Sequence, residues 1–377
     1  MDNIPKKLKS KLELRQQEQL FRTLSDAQNL VDFSSNDYLG FSKSESIFEK
    51  THRFLKEHDM GLNGATGSRL LTGNHRLYNK LEAILCKHHN SESALVFNSG
   101  YDANLGFFSS VPQRGDLIFY DELIHASIRD GIRLSNAKAF KFKHNDLNHL
   151  EHLLKRVQNE ETVYIVSESV FSMDGDSPDL VTLSKLCKKY NAFLIIDEAH
   201  AVGVFGDHGK GLVDQLQHPV FARLITFGKG LGCHGAAILG CRELVNYLIN
   251  FARSFIYTTA LPPHSIASII MAYEELALTN NINKLHHNIQ RFKSEIKTMG
   301  LEKHFIESHS EIQCCLIKGN DEVRNFSNQF QKQGFDIKPI LSPTVPKGQE
   351  RLRFCIHSYN STNEIVQVLK LLATFVK

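Results

Sequence analysis

Short apolar runs alternate with amphipathic stretches along most of the chain. Apolar residues recur at helical spacing over residues 75–88 and 180–190, and continuous apolar runs occupy 94–97, 117–120, 163–166 and 193–196. Runs that are apolar on both faces and separated by helices are typical of a parallel sheet buried between two helical layers. The pattern therefore predicts an α/β fold with a mainly parallel sheet.

The two ends of the chain follow different patterns. Residues 5–24 place apolar and charged positions at helical spacing, which predicts an amphipathic entry helix. After Pro262-Pro263 a helical region continues to about residue 299, and strand-like runs with a final amphipathic helix fill 305–377. We predict three parts, namely an N-terminal segment (1–35), a large domain (36–270) and a smaller α+β domain (271–377).

Composition narrows the class of protein. The formal net charge of +3 is too small to indicate a nucleic-acid-binding surface. The seven cysteines have no paired spacing, which is typical of reduced thiols in a cytosol. The first fifteen residues are polar and charged, and no stretch approaches eighteen uninterrupted apolar residues. We expect a soluble cytoplasmic protein that binds neither nucleic acid nor membrane.

Polar residues follow two of the predicted buried strands. Asp197-Glu-Ala-His200 comes after the run 193–196, and Glu168 to Gly175 comes after 163–166. Ligands of open α/β sheets bind beyond the carboxyl ends of the strands. The Asp-Glu-Ala-His segment also occurs in helicases, but the phosphate-binding G-x-x-x-x-G-K-[ST] segment is absent from this sequence. Neither an H-E-x-x-H nor a C-x-x-C pair is present, so we predict no metal.

A lysine flanked by glycines completes the candidate site. Lys229 lies in Thr226-Phe-Gly-Lys-Gly-Leu-Gly232, where the glycines allow a tight turn that leaves the ammonium group open to a ligand. Such a lysine can form a Schiff base with a carbonyl cofactor. Pyridoxal phosphate (PLP) needs this lysine and an acid beside its ring nitrogen, a pair that Lys229 and Asp197 supply. Taken singly, a surface lysine and a helix-capping aspartate remain alternatives.

Eight segments of the chain resemble those of the α-oxoamine synthases, a family of fold-type I PLP-dependent enzymes. They follow the same order and extend over nearly the whole sequence. The segments are 36–40, 67–73, 98–104, 125–127, 171–175, 197–203, 226–232 and 251–259. The resemblance implies a large domain with a mainly parallel seven-stranded sheet and a smaller α+β domain.

The resemblance also implies roles around PLP. Lys229 would hold the cofactor and move protons at the substrate α-carbon, and Asp197 would pair with the ring nitrogen. His200 would bind the phenolic oxygen, and His125 would stack on the ring. The remaining contacts, to the phosphate or the ring oxygen, are assigned to Gly100, Tyr101, Ser172, Thr226 and, from a second subunit, Thr258 and Thr259. A homodimer with shared sites is therefore implied.

Substrate contacts are assigned by the same resemblance to Arg22, Asn36, Arg353 and His357. Arg353 matches an arginine that takes the amino-acid carboxylate, and Arg22 matches one near the acyl entrance. The segment after Arg353 reads Phe-Cys-Ile-His357, where the family more often has small hydroxyl residues and alanines. This departure leaves the role of His357 open.

The implied reaction is the decarboxylative condensation of an amino acid with an acyl thioester. Segments 67–73 and 234–237 resemble those of family members that combine L-alanine with a pimeloyl thioester, a step of biotin biosynthesis. The acyl carrier is either coenzyme A or a carrier protein. Glycine C-acetyltransferase activity, or the activity of another α-oxoamine synthase, is the alternative.

Overall fold

The computed structural model of the protein describes residues 4–24, 29–158, 161–218 and 220–376. The chain divides into two compact units, Met1–Val31 and Asp32–Lys377. Its helices are α1 (Lys6–Gln17), α2 (Glu45–Glu57), α3 (Arg76–His88), α4 (Gly100–Ser110), α5 (Ala126–Leu134), α6 (Leu147–Leu154), α7 (Leu180–Lys189), α8 (Arg242–Phe251), α9 (Arg253–Ile256), α10 (Pro263–Leu276), α11 (Asn281–Thr298), α12 (Asn320–Lys332) and α13 (Thr362–Val376). Its strands are β1 (Val31–Asp32), β2 (Ser93–Phe97), β3 (Leu117–Asp121), β4 (Lys138–Phe142), β5 (Val163–Glu168), β6 (Phe193–Asp197), β7 (Ala222–Thr226), β8 (Ala236–Gly240), β9 (Ile312–Leu316), β10 (Phe335–Asp336), β11 (Lys338–Ile340) and β12 (Arg351–Cys355).

The first unit contains helix α1, which is shorter than the predicted 5–24. The helix ends because Gln19 adopts a φ of 54°, a left-handed conformation that cannot continue a right-handed helix. The apolar side chains of α1 are exposed within this unit, with Leu8 at 52% and Leu12 at 47%. The amphipathic pattern thus has no buried face there.

A seven-stranded sheet forms the centre of the second unit. Its strand order is β2-β8-β7-β6-β5-β3-β4, and β8 runs antiparallel to both of its neighbours whereas the other pairs are parallel. The predicted mainly parallel α/β sheet is confirmed. Glu168 at the end of β5 is in register with Asp197 at the end of β6. The carboxyl ends of these strands therefore meet at one edge of the sheet.

Alternate residues of the central strands pack into two separate cores. In β5, Tyr164 and Val166 face one core, which they share with helices α4, α5 and α8. Val163 and Ile165 face the other core, which they share with α6 and α7. Because successive side chains of a strand point to opposite faces, a strand buried on both sides has to be apolar throughout. This arrangement explains the continuous apolar runs.

A small antiparallel sheet, in the order β11-β12-β9, lies in the last third of the chain with helices α11, α12 and α13. It corresponds to the predicted smaller α+β region. Helix α10 continues through residue 270, so a division at that residue falls inside one element. The three-part organisation stays a prediction, and its first part includes residues outside the described ranges. Among the described residues, no helix combines the length and the apolarity that a bilayer crossing requires.

Candidate active site

A cavity of about 300 Å³ lies at the carboxyl ends of the parallel strands. Its wall includes the last residues of β5, β6 and β7, which are Glu168, Asp197 and Thr226. Of the residues assigned from the sequence, the cavity brings together Asn36, Gly100, Tyr101, His125, Asp197, His200, Thr226 and Lys229. Residues that are up to 193 positions apart in the chain, such as Asn36 and Lys229, therefore face one space.

Lys229 follows β7 in a tight turn, in which the backbone N–H of Gly232 donates to its carbonyl oxygen at 2.9 Å. A Cβ atom at Gly230 would lie 2.7 Å from the carbonyl oxygen of Val202, so only glycine fits beside the lysine. Burial lowers the pKa of Lys229, although the carboxyl groups of Asp197 and Glu168 oppose this effect. A lower pKa increases the fraction of neutral amine, the form that attacks a carbonyl group.

Asp197 is buried, and two donors hold its carboxylate. Its Oδ2 accepts from Nδ2 of Asn104 at 3.0 Å, and its Oδ1 accepts from the backbone N–H of Ala199 at 2.9 Å. Each oxygen of the carboxyl group therefore has a donor of its own. The side chain is thus fixed as an acceptor at the wall of the cavity.

His125 and Glu168 form a second hydrogen-bonded set next to Asp197, in which Glu168 is buried and His125 is exposed. The backbone N–H of His125 donates to Oε1 of Glu168 at 2.5 Å, and Oγ of Ser127 lies 2.7 Å from Nδ1 of His125. Nδ2 of Asn104 also donates to Oγ of Ser127, at 3.0 Å. Removal from bulk water lowers the pKa of His125, and burial raises the pKa of Glu168 well above its usual range. Both shifts favour the neutral forms of these two side chains.

The start of helix α4 offers an anion site at the cavity wall. Ser99 caps the helix by accepting from the backbone N–H of Asp102 at 3.1 Å. The first N–H groups of a helix have no acceptor within it, and together with the helix dipole they favour a phosphate group. A Cβ atom at Gly100 would lie 2.8 Å from Cγ2 of Thr226, so the glycine lets the end of β7 approach the helix start.

A chain of polar groups connects Arg353 of the small sheet to His200. Nε of Arg353 donates to the carbonyl oxygen of Ser172 at 2.7 Å, and its Nη2 donates to Oδ1 of Asn36 at 3.1 Å. Oη of Tyr38 lies 3.0 Å from the same Asn36 oxygen and 2.7 Å from Nδ1 of His200. The amino-acid carboxylate site assigned to Arg353 is thereby connected to the cavity wall.

Residues 28–369 match the family model described as aminotransferase class I and II. The chain belongs to this family. It is 40% identical over 373 residues to the 8-amino-7-oxononanoate synthase of Emericella nidulans, with 92% of this chain and 89% of that protein covered. It is 39% identical over 349 residues to the putative 8-amino-7-oxononanoate synthase of Geobacillus kaustophilus, with 91% and 88% covered.

Two solved structures extend the comparison. The 8-amino-7-oxononanoate synthase of Francisella tularensis aligns with a TM-score of 0.77 and 28% identity, over 92% of this chain and 98% of that one. The serine palmitoyltransferase of Sphingomonas wittichii aligns with a TM-score of 0.88 and 25% identity, over 98% and 96%. These matches confirm the predicted family and the predicted fold class of this aminotransferase class I and II protein.

Some residues that the sequence assigns to the active site do not line the cavity. Ser172 contacts Arg353 through its carbonyl oxygen, and His357 is buried between Ser35 and Asn360. Thr258 and Thr259 accept hydrogen bonds from Nδ2 of Asn98, through a side chain and a carbonyl oxygen respectively. Two arginines remain: Arg353 contacts Ser172 and Asn36, and Arg22 lies in the first unit and is exposed there. These roles stay predictions.

The sequence assigns no role to several residues at or near the wall, among them Tyr38, Asn104, Ser127 and Glu168. Glu168 ends an apolar run in the same way as Asp197, and this position at a strand end marks it in the sequence without indicating its role. Asn104 contacts Asp197, which is 93 positions away in the chain, and Tyr38 contacts His200, which is 162 positions away. A single sequence gives no signal for such contacts.

One group of potential metal ligands occurs among the described residues, formed by His144, Asp174 and Asp176 within 4.8 Å of one another. Nδ1 of His144 lies 2.9 Å from Oδ1 of Asp121, and its Nε2 lies 2.8 Å from Oδ2 of Asp176. Burial alone would lower the pKa of His144, but the two carboxylates outweigh it and raise the pKa to about 10. The ion pair with Asp176 holds the 171–176 loop, whose Ser172 contacts Arg353.

We expect His144→Gln to destabilise the protein at neutral pH. The pKa of His144 is higher in the folded state than in the unfolded state, so its contribution is fully present below about pH 6.5 and is lost as the pH rises through about 10. The unfolding midpoint should fall by at least about 2 °C at pH 6 and converge with the wild-type value near pH 11. Thermal melts across this range measure the difference. His287→Gln, on the exposed side of α11, is the control. A difference that stays constant with pH would contradict the ion-pair account.

Proposed function

We propose that the chain condenses L-alanine with a pimeloyl thioester, with loss of carbon dioxide, to give 8-amino-7-oxononanoate. The observation that carries this proposal is the cavity shared by Lys229 and Asp197, in a chain that is 40% identical to an 8-amino-7-oxononanoate synthase. The product name of these relatives supports a place in biotin biosynthesis. The cofactor is PLP.

The residues of the cavity fit PLP group by group. The helix start at Gly100 and Tyr101, next to Thr226, suits the phosphate, and Gly100 leaves the room that a Cβ atom would fill. Asp197 suits the ring nitrogen because both of its oxygens are already held as acceptors. His200 suits the ring hydroxyl group. When bound, PLP draws electrons from the substrate α-carbon and makes its proton easier to remove.

The chain's own groups supply binding and proton transfer. The amine of Lys229, with its lowered pKa, can accept a proton from the α-carbon of the substrate and return it. The carboxylate of Asp197 stabilises positive charge beside the cavity. The guanidinium group of Arg353 can receive the amino-acid carboxylate while Ser172 and Asn36 hold its orientation. His125 closes one face of the cavity against a planar ligand.

Substrate choice tests the proposal. A pocket that accepts the methyl group of alanine gains only about 1–3 kcal/mol from it, so glycine should react roughly ten- to a hundredfold more slowly. The acetyl group lacks the terminal carboxylate of the pimeloyl chain and should be transferred poorly. The assay combines alanine or glycine with a pimeloyl or an acetyl thioester. Thiol release from the thioester gives the rate of each of the four reactions.

The assay also separates the proposal from the alternative activity. Pimeloyl groups on coenzyme A and on an acyl carrier protein should be compared, since either carrier satisfies the proposal. Faster turnover of glycine with acetyl-coenzyme A than of alanine with a pimeloyl thioester would contradict it. Glycine C-acetyltransferase would then be the better assignment.

We also propose a homodimer whose two subunits share each active site. Thr258 and Thr259 lie next to Asn98 and outside the cavity of their own chain, and the side chain of Thr259 is exposed. This placement supports their assignment to the cofactor phosphate of a second copy.

Subunit mixing tests the sharing. Lys229→Ala subunits mixed equally with subunits carrying Thr258→Ala and Thr259→Ala should regain about a quarter of wild-type activity at limiting PLP, because half of the dimers are mixed and each has one intact site. Lys229→Ala mixed with Asp197→Asn is the matched control, since both residues face the same cavity of one chain. That control should show no recovery. Equal behaviour of the two mixtures after verified exchange would count against sharing.

A cytoplasmic location is a further proposal. The seven cysteines are all unpaired thiols, which is typical of a reducing compartment. Fractionation of cells into cytoplasmic, membrane and secreted pools measures the location, and recovery mainly in the secreted pool would contradict it.

A further inference from the structure

The hydroxyl group of Tyr38 joins two residues of the cavity wall. Its Oη lies 2.7 Å from Nδ1 of His200 and 3.0 Å from Oδ1 of Asn36, and its ring is completely buried. Each contact at this distance needs one proton between the two atoms. The position of each proton therefore decides which ring nitrogen of His200 is unprotonated.

Arg353 fixes the orientation of the Asn36 amide. Nη2 of Arg353 lies 3.1 Å from the same Asn36 atom that contacts Tyr38. A guanidinium group only donates hydrogen bonds, so that atom has to be the amide oxygen and not the amide nitrogen. The amide oxygen only accepts. The proton between Tyr38 and Asn36 therefore belongs to Tyr38.

The remaining contact then requires a proton from His200. A phenol has a single O–H proton, and burial raises the pKa of Tyr38, so the group stays protonated. Burial, together with the positive charges of Lys229 and Arg353, lowers the pKa of His200 well below its usual range. His200 is thus neutral and carries one proton, which lies on Nδ1 and is donated to Oη of Tyr38.

The opposite arrangement leaves an unfavourable contact. If Tyr38 donated to His200, the oxygens of Tyr38 and Asn36 would face each other at 3.0 Å without a proton between them. Two buried acceptors in contact cost free energy. In the favoured arrangement Nε2 of His200 has no proton, and within the described part of the chain it also has no hydrogen-bond partner.

We propose that Tyr38 is a positioning residue that keeps the proton of His200 on Nδ1 and presents Nε2 to the cavity as a hydrogen-bond acceptor. The identity of the ligand rests on the proposed function. Toward PLP, His200 would accept a hydrogen bond from the ring hydroxyl group and favour its neutral form. A donating histidine would instead favour the anion of that group.

Nitrogen-15 NMR of the full chain labelled at histidine tests the tautomer directly. The resonances of His200 are identified by their loss in His200→Gln. We expect a protonated Nδ1 and an unprotonated Nε2 in the wild-type protein, both without PLP and after its addition. In Tyr38→Phe the ring remains but the acceptor for Nδ1 is removed, and most of the population should move its proton to Nε2.

Tyr273→Phe is the matched control. Oη of Tyr273 lies 2.8 Å from Nε2 of His89, and both residues are buried outside this cavity. This change should alter the resonances of His89 and leave those of His200 in place.

A wild-type His200 with its proton on Nε2 would overturn the proposal, and this measurement needs no Tyr38 variant to fold. An unchanged tautomer in folded Tyr38→Phe would overturn the role of Tyr38. Because the spectra without PLP involve neither cofactor nor substrate, a failed activity assay and a failed tautomer assignment are distinguishable.

Discussion

Lys229→Ala will lower thiol release from a pimeloyl thioester with alanine by at least about a thousandfold, since the variant lacks the amine that attacks a carbonyl group and moves protons. Lys229 and Asp197 line the same cavity, and the pKa of Lys229 is lowered by burial. The variant should still bind PLP weakly, because the helix start at Gly100 remains. Steady-state thiol release measures the loss.

The control for this variant is an exposed lysine outside the cavity. Lys189 pairs with Glu151 at the surface, at 2.5 Å, and Lys189→Ala should retain wild-type activity. A Lys229→Ala protein within tenfold of wild type would show that Lys229 is an ordinary loop residue.

Asp197→Asn will lower the same rate by about a hundredfold or more, on the order of 3 kcal/mol of transition-state stabilisation. The change keeps the volume but removes the charge beside the cavity. It also places an amide next to two donors, Nδ2 of Asn104 and the backbone N–H of Ala199, and the asparagine has only one oxygen to accept from them.

Asp179→Asn is the control that distinguishes a charge needed at the cavity from a residue that only caps a helix. Asp179 accepts from the backbone N–H of Thr182 at 2.9 Å at the start of α7, outside the cavity. Asp179→Asn should therefore leave the rate within a few-fold of wild type. If Asp197→Asn behaves in the same way, Asp197 is a cap and not a catalytic residue.

The sheet could be predicted because its signal is local. Strands β5 and β6 are buried on both faces, and their apolar runs are visible in the sequence without any knowledge of their neighbours. The α+β character of the last region is predicted from strand-like runs at 315–317 and 352–356, which overlap β9 and β12 respectively. The antiparallel direction of β8 was not predicted, since the direction of a strand is set by the path of the chain around it.

The candidate site could be predicted only in part. Asp197 ends a strand and Lys229 lies between two glycines. Both positions indicate a functional residue from the sequence alone. Asn104, Ser127 and Tyr38 act by contacting other side chains, and those contacts depend on packing between distant segments. The folded chain shows them, and they set the charge and the tautomer of the groups that the sequence identified.

The central claim is that PLP is held on Lys229. The most direct measurement is reduction of the purified protein with borohydride in the presence of PLP, followed by proteolysis and peptide mapping. We expect a protein that is yellow before reduction and that carries the reduced cofactor on the peptide that contains Lys229. Reduced cofactor on another lysine, or no bound cofactor, would contradict it.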